Sequence, residues 1–207
     1  MIQQPNTSNI GINYWFYQPE ENSENELPVL FYFHGAGERG NELEKVLKHG
    51  PPKLIEEGKK FPFMVISPQC PANTYWRQIN LIAFIDEMMS QYQFDRERIY
   101  LSGNSMGGYG AWFLALTFPY MFAAIAPICG GGDSTQVHKI KHLPVWAFHG
   151  EDDDVVPYSE TLKMVSQLRE VGGNVKFTSY PDTGHDSWTP AYANDELYDW
   201  MIAQKRV

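Results

Sequence analysis

The central stretch of the chain reads Ile99-Tyr-Leu-Ser-Gly-Asn-Ser-Met-Gly-Gly108. Its first residues, 99–101, form a short apolar run that predicts a strand, and residues 105–118 predict a helix that ends before a proline. The turn between them matches G-x-S-x-G, in which the two glycines leave room for a strand-to-helix turn tight enough to strain the serine. We therefore predict that Ser105 is a nucleophile at a helix N-terminus, where the helix dipole favours developing negative charge. Ser102 is a weaker candidate because it lies within the strand and lacks a preceding glycine.

Apolar strands and amphipathic helices alternate on both sides of this stretch. This alternation predicts a mostly parallel central sheet with helices on both faces, within a single α/β domain over residues 1–207. Only 15 residues, 130–144, separate two of the core strands, so we expect a minimal fold without a cap domain. The further predicted strands are 12–17, 29–33, 63–67, 122–128, 145–148 and 175–180, and the further predicted helices are 79–92, 157–171 and 197–202.

The charge balance argues against several classes of partner. The chain has 207 residues, with 16 Lys and Arg against 25 Asp and Glu, a net charge of −9. Nucleic acids and anionic membrane surfaces need a basic patch, so neither is expected as a partner. The polar residues 1–11 do not resemble a secretory signal, and we expect a cytoplasmic protein unless a leader has been removed. The two cysteines, Cys70 and Cys129, form no metal or redox motif and are expected as free, partly buried thiols, with a single bridge as the alternative.

Four motifs together resemble the α/β-hydrolase superfamily. They are Gly103-Asn-Ser-Met-Gly107, His34-Gly-Ala-Gly-Glu-Arg-Gly40, His149-Gly-Glu-Asp-Asp-Asp-Val-Val-Pro157 and Gly184-His185-Asp-Ser-Trp188. Within the superfamily the chain is most similar to the phospholipase/carboxylesterase and dienelactone-hydrolase-like group, which includes predicted peptidases and feruloyl-esterase-like proteins. The likeness runs from about Val29 to the C-terminus, and it implies an α/β-hydrolase fold.

A serine nucleophile needs a base and an acid that orients the base. His185 follows the last predicted strand, and this position suits the Ser–Asp–His chain order of the fold. For the acid, Asp152, Asp153 and Asp154 are all suitably placed. The resemblance implies Asp153 through the pattern H-G-x-x-D-x-x-V, with Asp154 in reserve or capping a helix. The three aspartates lack the alternating ligands of a calcium loop, so no metal is predicted.

The remaining histidines are expected to have no part in the chemistry. His34 and His149 each precede a glycine at a strand end, and we interpret them as structural residues that tie strand ends to loops by hydrogen bonds. His49, His138 and His142 lie in polar or Pro/Lys-flanked segments and are expected to be solvated.

Two backbone N–H groups are expected to form an oxyanion hole. The tight turn supplies the N–H of Met106, and the resemblance implies the N–H of Ala36, with Gly37 as the alternative. Glu38 and Arg39 are expected to form an ion pair in this loop, or else Arg39 contacts a polar substrate. Trp76 and Trp188 are candidates for aromatic walls of the pocket, with simple packing as the alternative.

These residues predict hydrolysis of a carboxylic ester through an acyl-enzyme, without a metal or an organic cofactor. The predicted partner is a small or carbohydrate-linked ester. A thioester or a small peptide could be cleaved by the same residues. A dienelactone is less favoured because its enzymes resemble this chain but use cysteine, and a lipid interface is less favoured because no lid is evident. The alternative that is not an enzyme is a catalytically silent binding module with the same fold.

Overall fold

The computed structural model describes residues 3–20 and 26–206 and contains one eight-stranded sheet within them. The strands lie in the order β1-β2-β4-β3-β5-β6-β7-β8, with β3 to β8 parallel and with β1 and β2 paired antiparallel at one edge. They are β1 (Gln4–Thr7), β2 (Asn13–Tyr17), β3 (Leu27–Phe33), β4 (Met64–Pro68), β5 (Phe94–Asn104), β6 (Ala124–Ile128), β7 (Val145–Gly150) and β8 (Val175–Tyr180).

Helices cover both faces of the sheet, as the sequence predicts. The α-helices are α1 (Gly50–Glu56), α2 (Leu81–Gln91), α3 (Met106–Thr117), α4 (Tyr158–Glu170), α5 (Trp188–Ala193) and α6 (Asp195–Ile202). Short 3-10 helices span Ala36–Glu38, Leu43–Lys48, Trp76–Gln78 and Ser134–Ile140. Side chains of α2, α3 and α4 belong to the core on one face, and side chains of α1, α5 and α6 belong to the core on the other.

Strand β3 explains why the sequence shows continuous apolar runs rather than alternation. Its Phe31 and Phe33 belong to one core, whereas Leu30 and Tyr32 belong to the other. A parallel strand that is buried on both faces needs apolar side chains at successive positions. The apolar run is therefore the mark of a central strand.

Strand β5 is longer than the sequence predicts. It begins at Phe94, five residues before the predicted start at Ile99, because a first bridge to Leu27 precedes the continuous pairing. Residues 95–98 are Asp-Arg-Glu-Arg and are at least partly exposed, so they carry no apolar signal. Strand β1 is also polar and lies at the sheet edge, which explains why its sequence did not identify it.

The carboxyl ends of the parallel strands meet at one edge of the sheet, where three of the predicted site residues lie. Ser105 follows β5, Asp153 lies three residues beyond β7, and His185 lies five residues beyond β8. The segment between β6 and β7 holds the 3-10 helix Ser134–Ile140. Within residues 3–20 and 26–206, no helix is long and apolar enough to cross a membrane.

Candidate active site

The turn between β5 and α3 holds Ser105 in a strained backbone conformation. Its φ is +55° and its ψ is −119°, a region that residues with a side chain rarely occupy. The turn requires glycines, because neighbouring backbone atoms leave no room for a Cβ at Gly103 or Gly107. A Cβ on Gly103 would lie 2.5 Å from the carbonyl oxygen of Gly107, and a Cβ on Gly107 would overlap the carbonyl group of Phe33. Steric necessity therefore accounts for both glycines.

Ser105, His185 and Asp153 form a continuous hydrogen-bonded chain. The Nε2 atom of His185 lies 2.9 Å from Ser105 Oγ, and its Nδ1 atom lies 2.8 Å from Asp153 Oδ2. An ionised carboxylate can only accept, so Nδ1 carries the proton and Nε2 is free to accept the serine hydroxyl. The imidazole side chain is 19% exposed, which leaves Nε2 at the edge of solvent, whereas the Asp153 side chain is fully buried.

The carboxylate of Asp153 is held ionised although it is buried. Burial alone raises its pKa, but hydrogen bonds from His185 and from the backbone N–H groups of Val156 and Val155 outweigh burial and lower the pKa below its usual value. The two backbone bonds, at 2.8 and 2.9 Å, both reach Oδ1, which leaves Oδ2 for the imidazole. Asp152 and Asp154 are exposed, and within the described residues neither carboxylate has a hydrogen bond to His185.

A second histidine touches the same carboxylate. His149 is fully buried, and its Nε2 atom lies 3.1 Å from Asp153 Oδ2 and 3.0 Å from the carbonyl oxygen of Val156. Its Nδ1 atom lies 2.7 Å from Thr161 Oγ1, so the ring ties the end of β7 to α4 as the sequence predicts. Burial lowers the pKa of His149, although its contacts with Val156 and Asp153 act in the opposite direction.

The loop after β3 lies against the serine. A Cβ on Gly35 would lie 3.6 Å from the Cβ of Ser105, so this loop passes directly beside the serine. That the N–H of Ala36 or Gly37 contributes to an oxyanion hole stays a prediction. His34 anchors this loop from beneath, because its Nε2 accepts the N–H of Cys70 at 2.9 Å and its Nδ1 donates to the carbonyl of Gly35 at 2.6 Å.

The expected ion pair between Glu38 and Arg39 is wrong. The Arg39 guanidinium instead donates to the carbonyl oxygens of Ala36 and Thr74 at 3.0 and 3.2 Å, and it lies over the ring of Tyr75. Arg39 therefore links the Ala36 loop to residues 74–75. Buried Glu38 turns the other way, and its carboxylate lies 3.8 to 3.9 Å from nitrogens of His49 and His34.

Trp188 lies beside His185, and His49 lies beside Trp188. The indole packs edge-on against the His185 ring with 5.0 Å between centroids, and His49 packs against the same indole at 5.4 Å. The expectation that His49 is solvated is therefore wrong, since its ring is about one-third exposed and has a neighbour on each side. His138 and His142 are exposed, as expected.

Trp76 is a core residue that also lines a cavity. It is 1% exposed, its ring stacks on Phe33 at 4.6 Å, and its indole N–H donates to the carbonyl of His34. Trp76 therefore packs in the core, as the alternative interpretation expects, and it also borders a cavity beside α3. Its role as a wall of the substrate pocket stays a prediction.

The thiol of Cys129 lies next to the chain of hydrogen bonds. Its sulfur and ligand atoms of Asp153 and His185 lie within 4.8 Å of one another, a spacing that a metal ion could bridge. Burial raises the pKa of the Cys129 thiol to about 12, so the thiol stays protonated, and both ring nitrogens of His185 already have partners. The donor set therefore does not suit a metal. Both cysteines are buried and unbridged.

Comparison with known proteins places the chain in a family. Residues 61–193, well over half of the chain, match the family described as Phospholipase/Carboxylesterase, and the chain belongs to it. A solved structure described as a thermostable esterase superposes with a TM-score of 0.85 at 33% identity, covering 99% of this chain and 63% of that one. This match confirms the predicted α/β-hydrolase fold.

Two curated relatives differ in what they hydrolyse. A bifunctional acetylxylan esterase/xylanase, XynS20E, of Neocallimastix patriciarum is 27% identical over 92% of this chain and 28% of its own length. An acyl-protein thioesterase of Neurospora crassa is 31% identical over 44% of this chain and 40% of its own length. This chain thus spans less than half of either curated relative.

Sequence reasoning missed residues that line the cavity beside α3. Tyr109 and Phe113 follow Ser105 at intervals of four residues and lie on the face of α3 that meets this cavity. Helical spacing from the serine could have identified both residues. The contact between His149 and Asp153 had no such signal, because it depends on how the loop after β7 folds back.

Proposed function

We propose that this chain is a serine-dependent carboxylic ester hydrolase that works through an acyl-enzyme. The observation that carries the proposal is the pair of hydrogen bonds, at 2.9 and 2.8 Å, that joins Ser105 to His185 and His185 to Asp153. Membership of a family of carboxylic ester hydrolases supports the same reaction.

In the proposed reaction, Ser105 Oγ attacks the ester carbonyl carbon while Nε2 of His185 takes the hydroxyl proton. Asp153 stabilises the imidazolium that forms, and its backbone hydrogen bonds keep the carboxylate in place. The N–H groups of Met106 and Ala36 receive the carbonyl oxygen as it becomes negative. His185 then gives the proton to the leaving alcohol, and the acyl group remains on the serine.

Deacylation repeats the same steps with water. His185 takes a proton from a water molecule, the hydroxide attacks the acyl carbon, and Ser105 regains its proton as the acid leaves. The residues of this chain supply every proton transfer that the reaction needs. The relatives act on acetylxylan and on acyl-protein thioesters, so a carbohydrate-linked ester and a thioester are the natural substrates to try after simple esters.

The test measures hydrolysis of p-nitrophenyl butyrate and labelling by a fluorophosphonate probe, with Ser105→Ala beside Ser102→Ala. Ser102 is the matched control because its buried hydroxyl is already bound to the carbonyl of Ala126 and to Tyr192. We expect Ser105→Ala to lose both labelling and at least about a thousandfold in kcat. We expect Ser102→Ala to be labelled. If the unmodified protein neither hydrolyses the ester nor takes the label, the proposal is wrong and the chain is a binding module.

A further inference from the structure

A groove of about 800 Å³ runs along the helix that begins after the serine. One face of α3 forms its floor, through Met106, Tyr109, Gly110, Phe113 and Thr117. Met106, Tyr109, Phe113 and Thr117 are spaced by three or four residues, which is the spacing of a single helix face, and Gly110 lies beside Tyr109. Eleven residues separate the first from the last, so the groove follows the helix for about 16 Å at 1.5 Å per residue.

The groove collects exposed apolar side chains. The described part of the chain has seven large apolar residues that are exposed. Three of the seven line this groove: Tyr75, Phe113 and Val155. They come from three separate segments and are 50%, 39% and 64% exposed. Apolar surface gathered in one concave place marks a site for an apolar ligand rather than random exposure.

Two of the polar residues that line the groove, Tyr109 and Asp133, have partners within the protein, and Arg77 adds one cationic side chain to the lining. Burial and the neighbouring Glu160 carboxylate raise the pKa of Tyr109 to about 12, so its hydroxyl stays neutral. The carboxylate of Asp133 accepts hydrogen bonds from Thr135 and Gln136. Among the groove residues, Trp76 is held rigidly by its stack on Phe33. Trp76 is 1% exposed and supports the groove from within the core, so the apolar surface that a ligand meets comes mainly from Tyr75, Phe113 and Val155.

The position of the groove identifies which part of an ester it takes. The leaving oxygen must face Nε2 of His185, because that atom returns the proton to it. Met106, the residue that follows the nucleophile, lines one end of the groove, whereas Ser105, His185 and Trp188 do not line it. In the proposed reaction the N–H of Met106 faces the carbonyl oxygen. The part of the ester on the other side of the carbonyl carbon is the acyl group.

We infer that this groove binds the acyl group, and that the preferred acyl group is apolar and extended, longer than acetyl or butyryl. The inference rests on the proposed function and specifies its substrate. An acetyl group would leave most of the groove filled with water against apolar side chains. A straight aliphatic chain and an arylalkenoyl group such as cinnamoyl share the required chemistry, and the two are separated by experiment.

The test compares kcat/KM for p-nitrophenyl acetate, butyrate, octanoate and cinnamate. Since each added methylene in an apolar pocket is worth about tenfold or more in specificity, we expect octanoate or cinnamate to exceed acetate by at least about tenfold. Preference for octanoate identifies an aliphatic group, and preference for cinnamate identifies an aromatic one. Preference for acetate, with activity that still depends on Ser105, would overturn the inference and leave the proposed function intact.

A matched pair of variants tests the location. Phe113 and Leu162 are each 39% exposed on a helix, but only Phe113 lines the groove. We expect Phe113→Asp to lower the ratio of long-acyl to acetate kcat/KM by about tenfold and Leu162→Asp to leave that ratio within about twofold. Val155→Asp, in a loop that lines the same groove, should act like Phe113→Asp and covers the case in which that variant folds poorly. Equal ratios in Phe113→Asp, Val155→Asp and Leu162→Asp would place the acyl group elsewhere.

Discussion

Protonation of His34 should make the protein unstable in weak acid. The ring is fully buried at the end of β3 and is satisfied only when neutral, because Nε2 must accept the N–H of Cys70 while Nδ1 donates to Gly35. Burial, with a smaller contribution from the Arg39 charge, lowers its pKa from 6.5 to about 4, although the hydrogen bond to Gly35 acts in the opposite direction.

The size of the effect follows from this shift. Between pH 6.5 and about 4 the unfolded chain carries a proton on His34 that the folded protein does not. The free energy of unfolding therefore falls as the pH is lowered through this window, and the loss stops below the folded pKa. At about 1.4 kcal/mol per pH unit, the full loss from this residue is about 3 kcal/mol.

The measurement is urea unfolding at about pH 7 and about pH 4.5, followed by tryptophan fluorescence. His34→Gln cannot take up the proton, so its free energy of unfolding should fall about 2.5 kcal/mol less than that of the unmodified protein over this range. His138→Gln is the control, because His138 is exposed and its loss should leave the pH dependence unchanged. The compared quantity is the change in the free energy of unfolding between the two pH values, so a lower stability of His34→Gln at pH 7 does not affect the comparison. Equal changes for His34→Gln and the unmodified protein would refute the reasoning.

Two further predictions concern the turn and the acid. Gly107→Ala should lower the free energy of unfolding by about 3 kcal/mol or more, because its methyl group would overlap the backbone of Phe33, whereas Gly37→Ala has open space and should change it by less than about 0.5 kcal/mol. Urea unfolding measures the stability of both variants, and equal stability of Gly107→Ala and Gly37→Ala would show that the steric argument is wrong. Asp153→Asn should lower kcat for p-nitrophenyl butyrate by about 10⁴-fold, because the amide favours the wrong tautomer of the imidazole, while exposed Asp154→Asn should stay within about twofold. A large loss in Asp154→Asn alone would assign the acid to the reserve candidate.

Local sequence patterns predicted most of the fold because the relevant forces act within a few residues. The apolar runs of β3 and β8 and the helical spacing of α2 gave boundaries within about two residues of those observed. Strand β5 was predicted too short because residues 95–98 are polar and at least partly exposed, so they leave no trace in side-chain hydrophobicity.

The sequence by itself determined the elements of the candidate site that depend on local sterics and chain order. The glycines around Ser105 identify the strained turn, and the order of strands places Asp153 and His185 at the same sheet edge. Only the tertiary structure decided which way side chains turn once loops from different strands meet. It separated buried Asp153 from its exposed neighbours, turned Glu38 away from Arg39 toward two histidines, and opened a groove along α3. These outcomes depend on contacts between residues that are distant in the chain, such as the 80 residues from Ser105 to His185, and no local period of the sequence reports such contacts.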